Sequence, residues 1–267
     1  MGNPSPEGFE VLQTIHDRYE LVSLLSEAAH DKPDFVTQLS MSRSTVDRAI
    51  DQLLEYDIIE RTESGYAITT PGIMILQCYE RTVEIVGPIF DTSRVLRYIP
   101  TEIAVPFTLL DTATVHVADR FEPGLPQRRF LEIAEGAAQI RGIIPVTNEQ
   151  YIDFLYHRVV ELGKPTELVT ETQIVDYLQK HKPRIFREIL SADCCDIHVI
   201  DATIEFGLSL FDGDEHTITL CCYDFNKHFQ GLIVDRFDNH GRWAESIYEK
   251  FLDKATVIGP DSVHHGV

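Results

Sequence analysis

Basic residues are scarce in this chain. Lys and Arg total 23 against 43 Asp and Glu, a formal net charge of -20 over 267 residues. That balance excludes the usual route to nucleic acid, a broad basic face, because an acidic surface repels phosphates at long range. Long apolar runs are absent as well: nothing approaches the roughly 20 residues that cross a bilayer. The start Met1-Gly2-Asn3-Pro4 leads into a polar stretch instead of a basic-then-apolar signal segment. A cytoplasmic protein with no membrane partner is expected.

Catalytic and metal signatures are missing too. There is no Gly-rich phosphate loop, no Gly-x-Ser-x-Gly elbow and no His-Glu-x-x-His pair. A phospholipase-D-type site needs His, then Lys two positions on, then a downstream Asp. Here Pro183 follows His181-Lys182, and Lys227-His228 runs in the wrong order. The eleven histidines are scattered, so each reads as a surface or core residue and not as a ligand. The cysteines are few and odd in number: Cys78 and the adjacent pairs Cys194-Cys195 and Cys221-Cys222, neither pair with zinc-ligand spacing. They read as buried thiols in a reducing compartment, with a thiol switch as the alternative if the two pairs face each other. No catalytic residue, metal or cofactor is expected.

What the chain does have is enough apolar content, 43%, to pack a core, and a length that favours two domains. Its acids are spread along the whole sequence and its bases are mostly Arg. In molar salt the Debye length falls to about 3 Å, leaving only immediate contacts to matter. The charge pattern therefore predicts a protein of a salt-rich cytoplasm, where the objection to DNA lapses.

From Phe9 the apolar positions Val11, Leu12, Ile15, Tyr19, Leu21, Val22 and Leu25 fit one helix or two short ones. Pro33 suits the first turn of a further helix reaching Leu39. After Ser40-Met41-Ser42 comes a helix with Val46, Ala49, Ile50, Leu53 and Leu54 facing inward. Arg43, Ser44, Thr45, Asp47, Arg48 and Gln52 are left facing outward. Such a helix suits the major groove, where Arg pairs bidentately with guanine and hydroxyls reach phosphates or bases. Ile58-Ile59-Glu60-Arg61 and Tyr66-Ala67-Ile68-Thr69 flank a Glu63-Ser64-Gly65 turn, a hairpin that would place Arg61, Ser64 and Tyr66 on a wing.

The next helix begins at Thr70-Pro71-Gly72 and carries Ile73, Leu76, Tyr79, Val83 and Val86 on one side as far as Gly87-Pro88. Packed on a second copy, it would supply the two-fold axis of a homodimer. Beyond it Thr114-Val115-His116-Val117 is strand-like. Strands at 142–146, 166–169 and 196–200 then alternate with helices at 148–162 and 172–190, the latter broken near Pro183. That order predicts parallel strands with right-handed crossovers. The segments FGLSLFD, TITLCCYD and QGLIVD add a meander before a closing helix at 239–254. The expected fold is α/β: a winged helix-turn-helix at 9–70, a connecting or dimerisation helix at 71–98, and an α/β effector domain with a mixed sheet at 99–258.

LSMSRSTVDRAIDQLLEYDIIERTESGYAIT resembles the winged helix-turn-helix of archaeal and bacterial repressors. RRFLEIAEGAAQIRGIIPV, FGLSLFD and GRWAESIYEKFLDKA resemble the C-terminal domain of FilR-type methanogenesis regulators. The chain is less similar to the phospholipase-D-like sensor domain of TrmB sugar regulators. These resemblances imply a haloarchaeal-like transcriptional regulator that binds double-stranded DNA, forms a homodimer and senses a small-molecule effector. In open α/β sheets, ligands settle outside the carboxyl ends of parallel strands. Here that edge holds Thr147, Asn148, Thr170, Glu171, Thr172 and Asp201, although Asn148 and Thr172 are equally suited to capping helices. A protein-interaction adaptor that uses the winged unit without DNA, and a degenerate phospholipase-D-like domain, are the competing expectations.

Overall fold

The computed structural model describes residues 6–260, so the polar start at Met1-Gly2-Asn3-Pro4 lies outside the described residues. The chain divides into two compact units between Gly87 and Pro88.

The first unit begins with α1 (Pro6–Asp17) and α2 (Tyr19–Glu27), separated at Arg18, whose φ and ψ of -119° and 17° leave helical geometry. In α3 (Lys32–Gln38), Asp31 and Asp34 cap reciprocally: each carboxylate accepts the other's backbone N–H. The hydroxyl of Ser42 accepts from Thr45 N and starts α4 (Arg43–Glu55). Leu21, Val22, Leu25, Phe35, Val46, Ala49, Ile50 and Leu53 bury together as the core of this unit. The hairpin is β1 (Ile59–Thr62) with β2 (Gly65–Ile68), so the turn is Glu63-Ser64 alone. Gly65 is needed in the strand instead of the turn. Its φ is +121°, and a Cβ there would lie 2.4 Å from the His30 carbonyl oxygen. That closeness comes from a backbone bridge in which His30 and Tyr66 exchange hydrogen bonds of 3.0 and 2.8 Å. The helix α5 (Thr70–Asp91) does not stop at Gly87-Pro88 but carries Pro88 within it.

The second unit opens with α6 (Ser93–Leu96), a short turn at Thr101–Ile103 and α7 (Leu109–Thr112). There follow β3 (Thr114–Val117), α8 (Leu125–Gly136), β4 (Gln139–Ile144) and α9 (Glu149–Tyr156), which widens into a π-turn over His157–Glu161. Next come β5 (Thr166–Glu171), α10 (Thr172–His181), α11 (Pro183–Leu190) and β6 (Cys195–Ile200). The chain closes with β7 (Phe206–Asp212), β8 (Thr217–Tyr223), β9 (Phe229–Arg236), α12 (Phe237–Leu252) and β10 (Thr256–Ile258). One sheet runs β10-β6-β5-β4-β7-β8-β9-β3, parallel at β4-β5-β6 and antiparallel elsewhere. The short helices α6 and α7, α8 in a stretch recognised only by its resemblance, and the three-residue β10 escape the periodicity above.

Side chains alternate to the two faces of this sheet. Cys222 joins a core with Ala244, Ile247 and Tyr248 of α12, whereas its neighbour Cys221 packs with Phe130 and Ala134 of α8. This topology corrects the facing-cysteine expectation. Cys195 starts β6, with Cys194 just before it, and Cys221-Cys222 lie in β8, with β5, β4 and β7 between them, about 19 Å at the usual strand spacing. Burial pushes the thiols of Cys195 and Cys221 up to about 12, and that of Cys222 further, which suppresses the thiolate that redox chemistry needs.

Two polar devices sit inside this unit. Arg158 is buried, and its guanidinium donates to Thr166 Oγ1 at 2.9 Å and to the carbonyls of Ala137 (2.9 Å), Ala138 (3.0 Å), Ala134 (3.3 Å) and Pro165 (3.3 Å). One side chain thus satisfies the C-terminal carbonyls of α8 and the starts of β4 and β5, where the helix dipole favours a cation. In the second device, buried Asp235 accepts from His240 Nδ1 at 2.6 Å and Asn239 Nδ2 at 3.0 Å, while His240 Nε2 meets Thr108 Oγ1 at 3.0 Å. Burial raises the Asp235 carboxyl, but the hydrogen bonds from His240 and Asn239 outweigh it and hold it below the ordinary Asp range. A depressed carboxyl stabilises above the unfolded value, about 3.9, and that stability is lost as pH falls through the folded value. The Tm gap between wild type and Asp235→Asn is therefore expected to be widest near neutrality and to shrink below about pH 4. A gap independent of pH would show that the ionised carboxylate contributes nothing.

Candidate nucleic-acid interface and effector cleft

On α4, Arg43, Ser44, Thr45, Asp47 and Arg48 are exposed, while the buried face anchors the helix in its core. The outward set is not uniformly available. Lys32 of α3 pairs with Asp47 at 2.5 Å, offsetting the one carboxylate between the two arginines. Gln52 is turned aside: its Oε1 accepts from Arg18 Nε at 3.1 Å and Nη2 at 2.9 Å, so it braces α4 instead of facing outward. Ser42 Oγ lies 3.0 Å from Ser44 Oγ and 2.8 Å from Thr45 Oγ1, a hydroxyl cluster at the positive end of the helix where a phosphate is favoured.

The wing separates its three sequence-derived residues. Arg61 and Tyr66 are cross-strand partners and share a face with the pair Ile59 and Ile68. Tyr66 is half-buried against the core, so it supports the hairpin, whereas Arg61 remains exposed toward the tip. Ser64 is exposed in the turn, with its hydroxyl 3.2 Å from Thr62 Oγ1.

In the second unit a cleft of about 1050 Å³ opens at the carboxyl ends of β4 and β5. Thr147, Asn148 and Glu171 line it, as the strand order predicts. Asn148 also caps α9, its Oδ1 accepting from Tyr151 N at 3.0 Å. Thr170 faces inward and donates to the Ile144 carbonyl at 2.8 Å. Thr172 hydrogen-bonds the Ile200 carbonyl at 3.3 Å, and exposed Asp201 does not line the cleft, so neither belongs to it. The opposite wall comes from the β8–β9 turn, with Asn226, Lys227, His228 and Gln230, and from Asp119 and Arg120 after β3. Buried Glu171 accepts from Lys227 at 3.1 Å and from Ile204 N at 2.9 Å, and Lys227 also reaches the Ile204 carbonyl. Lys227 holds a left-handed φ of +64°, stabilised locally by Asp224, which accepts from Asn226 N and His228 N. Nothing in the local sequence signals this wall, because it lies more than fifty residues from Glu171 and is brought there by strand order.

Residues 6–88 match the HVO_A0261 N-terminal domain family, and residues 123–254 match the middle domain of the methanogenesis regulatory protein FilR1. The first span takes in α4 and the wing; the second takes in the cleft except for Ala118, Asp119 and Arg120. No curated protein matches the chain. Among solved structures, TrmBL2, described as an archaeal chromatin protein with a novel mode of DNA binding, aligns over 92% of this chain and 98% of its own, at 11% identity and a TM-score of 0.42. NucT from Helicobacter pylori aligns over 55% of this chain and 98% of its own, at 12% identity and a TM-score of 0.41. The phospholipase D family member Nuc from Salmonella typhimurium aligns over 55% and 99%, at 14% identity and a TM-score of 0.40.

Proposed function

Because this chain is an archaeal-type transcriptional regulator, joining an HVO_A0261 N-terminal domain to a FilR1 middle domain, we propose that it binds a specific double-stranded operator through α4 and the wing. The observation that carries this reading is the exposed face of α4. Arg43 and Arg48 flank an Asp47 held by Lys32, next to a hydroxyl cluster at the helix start. That is the chemistry of base-edge and phosphate contact on a helix rigid enough to enter a groove. Arg61 and Ser64 of the wing add backbone contacts beside it.

The protein acts as a homodimer through α5. Along that helix Tyr79, Val83, Val86 and Phe90 recur at alternating steps of four and three, and Val83, Val86 and Phe90 are 54%, 54% and 76% exposed. An apolar seam of this spacing matches a second copy of itself and aligns two recognition helices for a two-fold operator. The cleft of the second unit serves as the effector site.

The acidic composition sets the conditions. An ordinary regulator loses affinity steeply with salt, with a log-log slope of about -0.9 per neutralised phosphate. Here few cations face the duplex, while Asp51, Glu60 and Glu63 surround them, exposed, and take up cations on binding. Operator binding is expected to persist at molar KCl with a shallow or positive slope. A gel-shift titration against KCl, with circular dichroism in parallel, tests this. A steep loss by folded protein would overturn the salt-adapted reading, and no shift with any genomic fragment would favour a protein-interaction adaptor.

A further inference from the structure

The effector cleft does not end at its polar walls. Val146, Thr147, Tyr151, Ile174 and Tyr223 line both the cleft and a second, inner cavity of about 100 Å³ between the parallel strands and the helices α9, α10 and α11. The inner cavity is walled by carbon, with Leu168, Val175, Phe186, Ile189 and Ile197 among its lining. Two of its polar groups are already engaged. Thr166 Oγ1 accepts from Arg158 and donates to the Lys164 carbonyl, and Thr170 Oγ1 donates to the Ile144 carbonyl. Tyr151 and Tyr223 stand at the neck between the two spaces. A cavity of this size lined almost wholly by carbon takes an apolar group. The outer cleft, in contrast, is polar without being charged overall. Lys227 is neutralised by Glu171, and Arg120 is balanced by Asp119 in the same wall, with amides such as Gln173 and Asn226 between.

We propose that this site takes a small amphiphile, with an aliphatic or aromatic tail of a few carbons in the inner cavity and an uncharged polar head in the outer cleft. The assignment rests on the effector reading of the cleft and names its ligand class. Tail burial drives affinity, and the amide-rich wall favours a neutral head over an anion because the charges that line it, Asp119 and Glu171 against Arg120 and Lys227, sum to zero.

Calorimetric titration of the full chain with the 1-alkanols from butanol to octanol, in molar KCl, tests the assignment. Affinity is expected to rise about fourfold per methylene, the factor for burying one CH₂, until the tail fills the cavity, and then to level off. Octanoate should bind more weakly than octanol. Val175→Phe, which fills the cavity, should abolish the effect. Ile189→Ala, which enlarges it, should move the plateau to a longer alcohol and serves as the readout if the first variant fails to fold. Absence of binding, affinity insensitive to chain length, octanoate binding more tightly, or an unchanged plateau in Ile189→Ala would each overturn the amphiphile assignment. Operator affinity measured with and without octanol separates the two layers. Chain-length-dependent binding that leaves DNA affinity unchanged would sink the effector reading and leave the ligand class standing.

Discussion

Replacing Arg43 and Arg48 together by Ala is expected to weaken operator binding by about a hundredfold or more while the winged unit stays folded. Each guanidinium that pairs with a base edge contributes about 1 to 3 kcal/mol of discrimination, and two on one helix add when they read separate bases. Both side chains are exposed and neither belongs to the core of Val46, Ala49, Ile50 and Leu53, so their removal leaves packing intact. The Gln52→Ala variant is the internal control. Its amide is committed to Arg18, so it should cost stability before it costs affinity. Gel shift in molar KCl, paired with thermal melts, gives both quantities. Operator binding by the folded double variant at wild-type concentrations would remove α4 from the interface.

The second large effect is expected at Arg158. Substitution by Met keeps much of the aliphatic volume but leaves the carbonyls of Ala134, Ala137, Ala138 and Pro165 without the guanidinium that serves them. Ala134, Ala137 and Pro165 keep second donors in Ala137 N, Lys164 Nζ and Ile140 N, so the penalty falls mainly on the Ala138 carbonyl, and a buried acceptor left unsatisfied costs about 1 to 3 kcal/mol. Arg158→Lys should recover only part, since a compact ammonium cannot span acceptors spread around a planar fork. The single Trp of the chain, Trp243 on α12, lies in the same unit and makes urea unfolding of that unit visible by fluorescence. A loss below about 1 kcal/mol would mean that Arg158 fills space without organising the chain.

Arg158 also shows where sequence reasoning stops. A lone Arg in HRVVELG carries no sign of burial, because its five acceptors come from the end of α8 and the starts of β4 and β5. The cleft behaves in the same way. Thr147, Asn148 and Glu171 were legible as strand ends, yet the Asn226–Gln230 wall and the inner cavity depend on which strands become neighbours. Asp201 looked equivalent to Glu171 by position after a strand but lies outside the cleft.

Local periodicity determined the elements that carry their own signal: α4 from its buried stripe, the hairpin from its turn, and the alternation of β4, α9, β5, α10 and β6. Those patterns are set by which side chains must leave water within a few residues of one another, so they are readable without a fold. Charge likewise needed only counting. Sheet order was decided in three dimensions, by the pairing of distant strands, and with it came the separation of the two cysteine pairs and the neutralisation of Lys227 by Glu171; the packing of helices in the first unit turned Gln52 toward Arg18. Each of those is a contact between residues far apart in sequence. Its energy exists only once the chain has closed the loop between them, which no local pattern encodes.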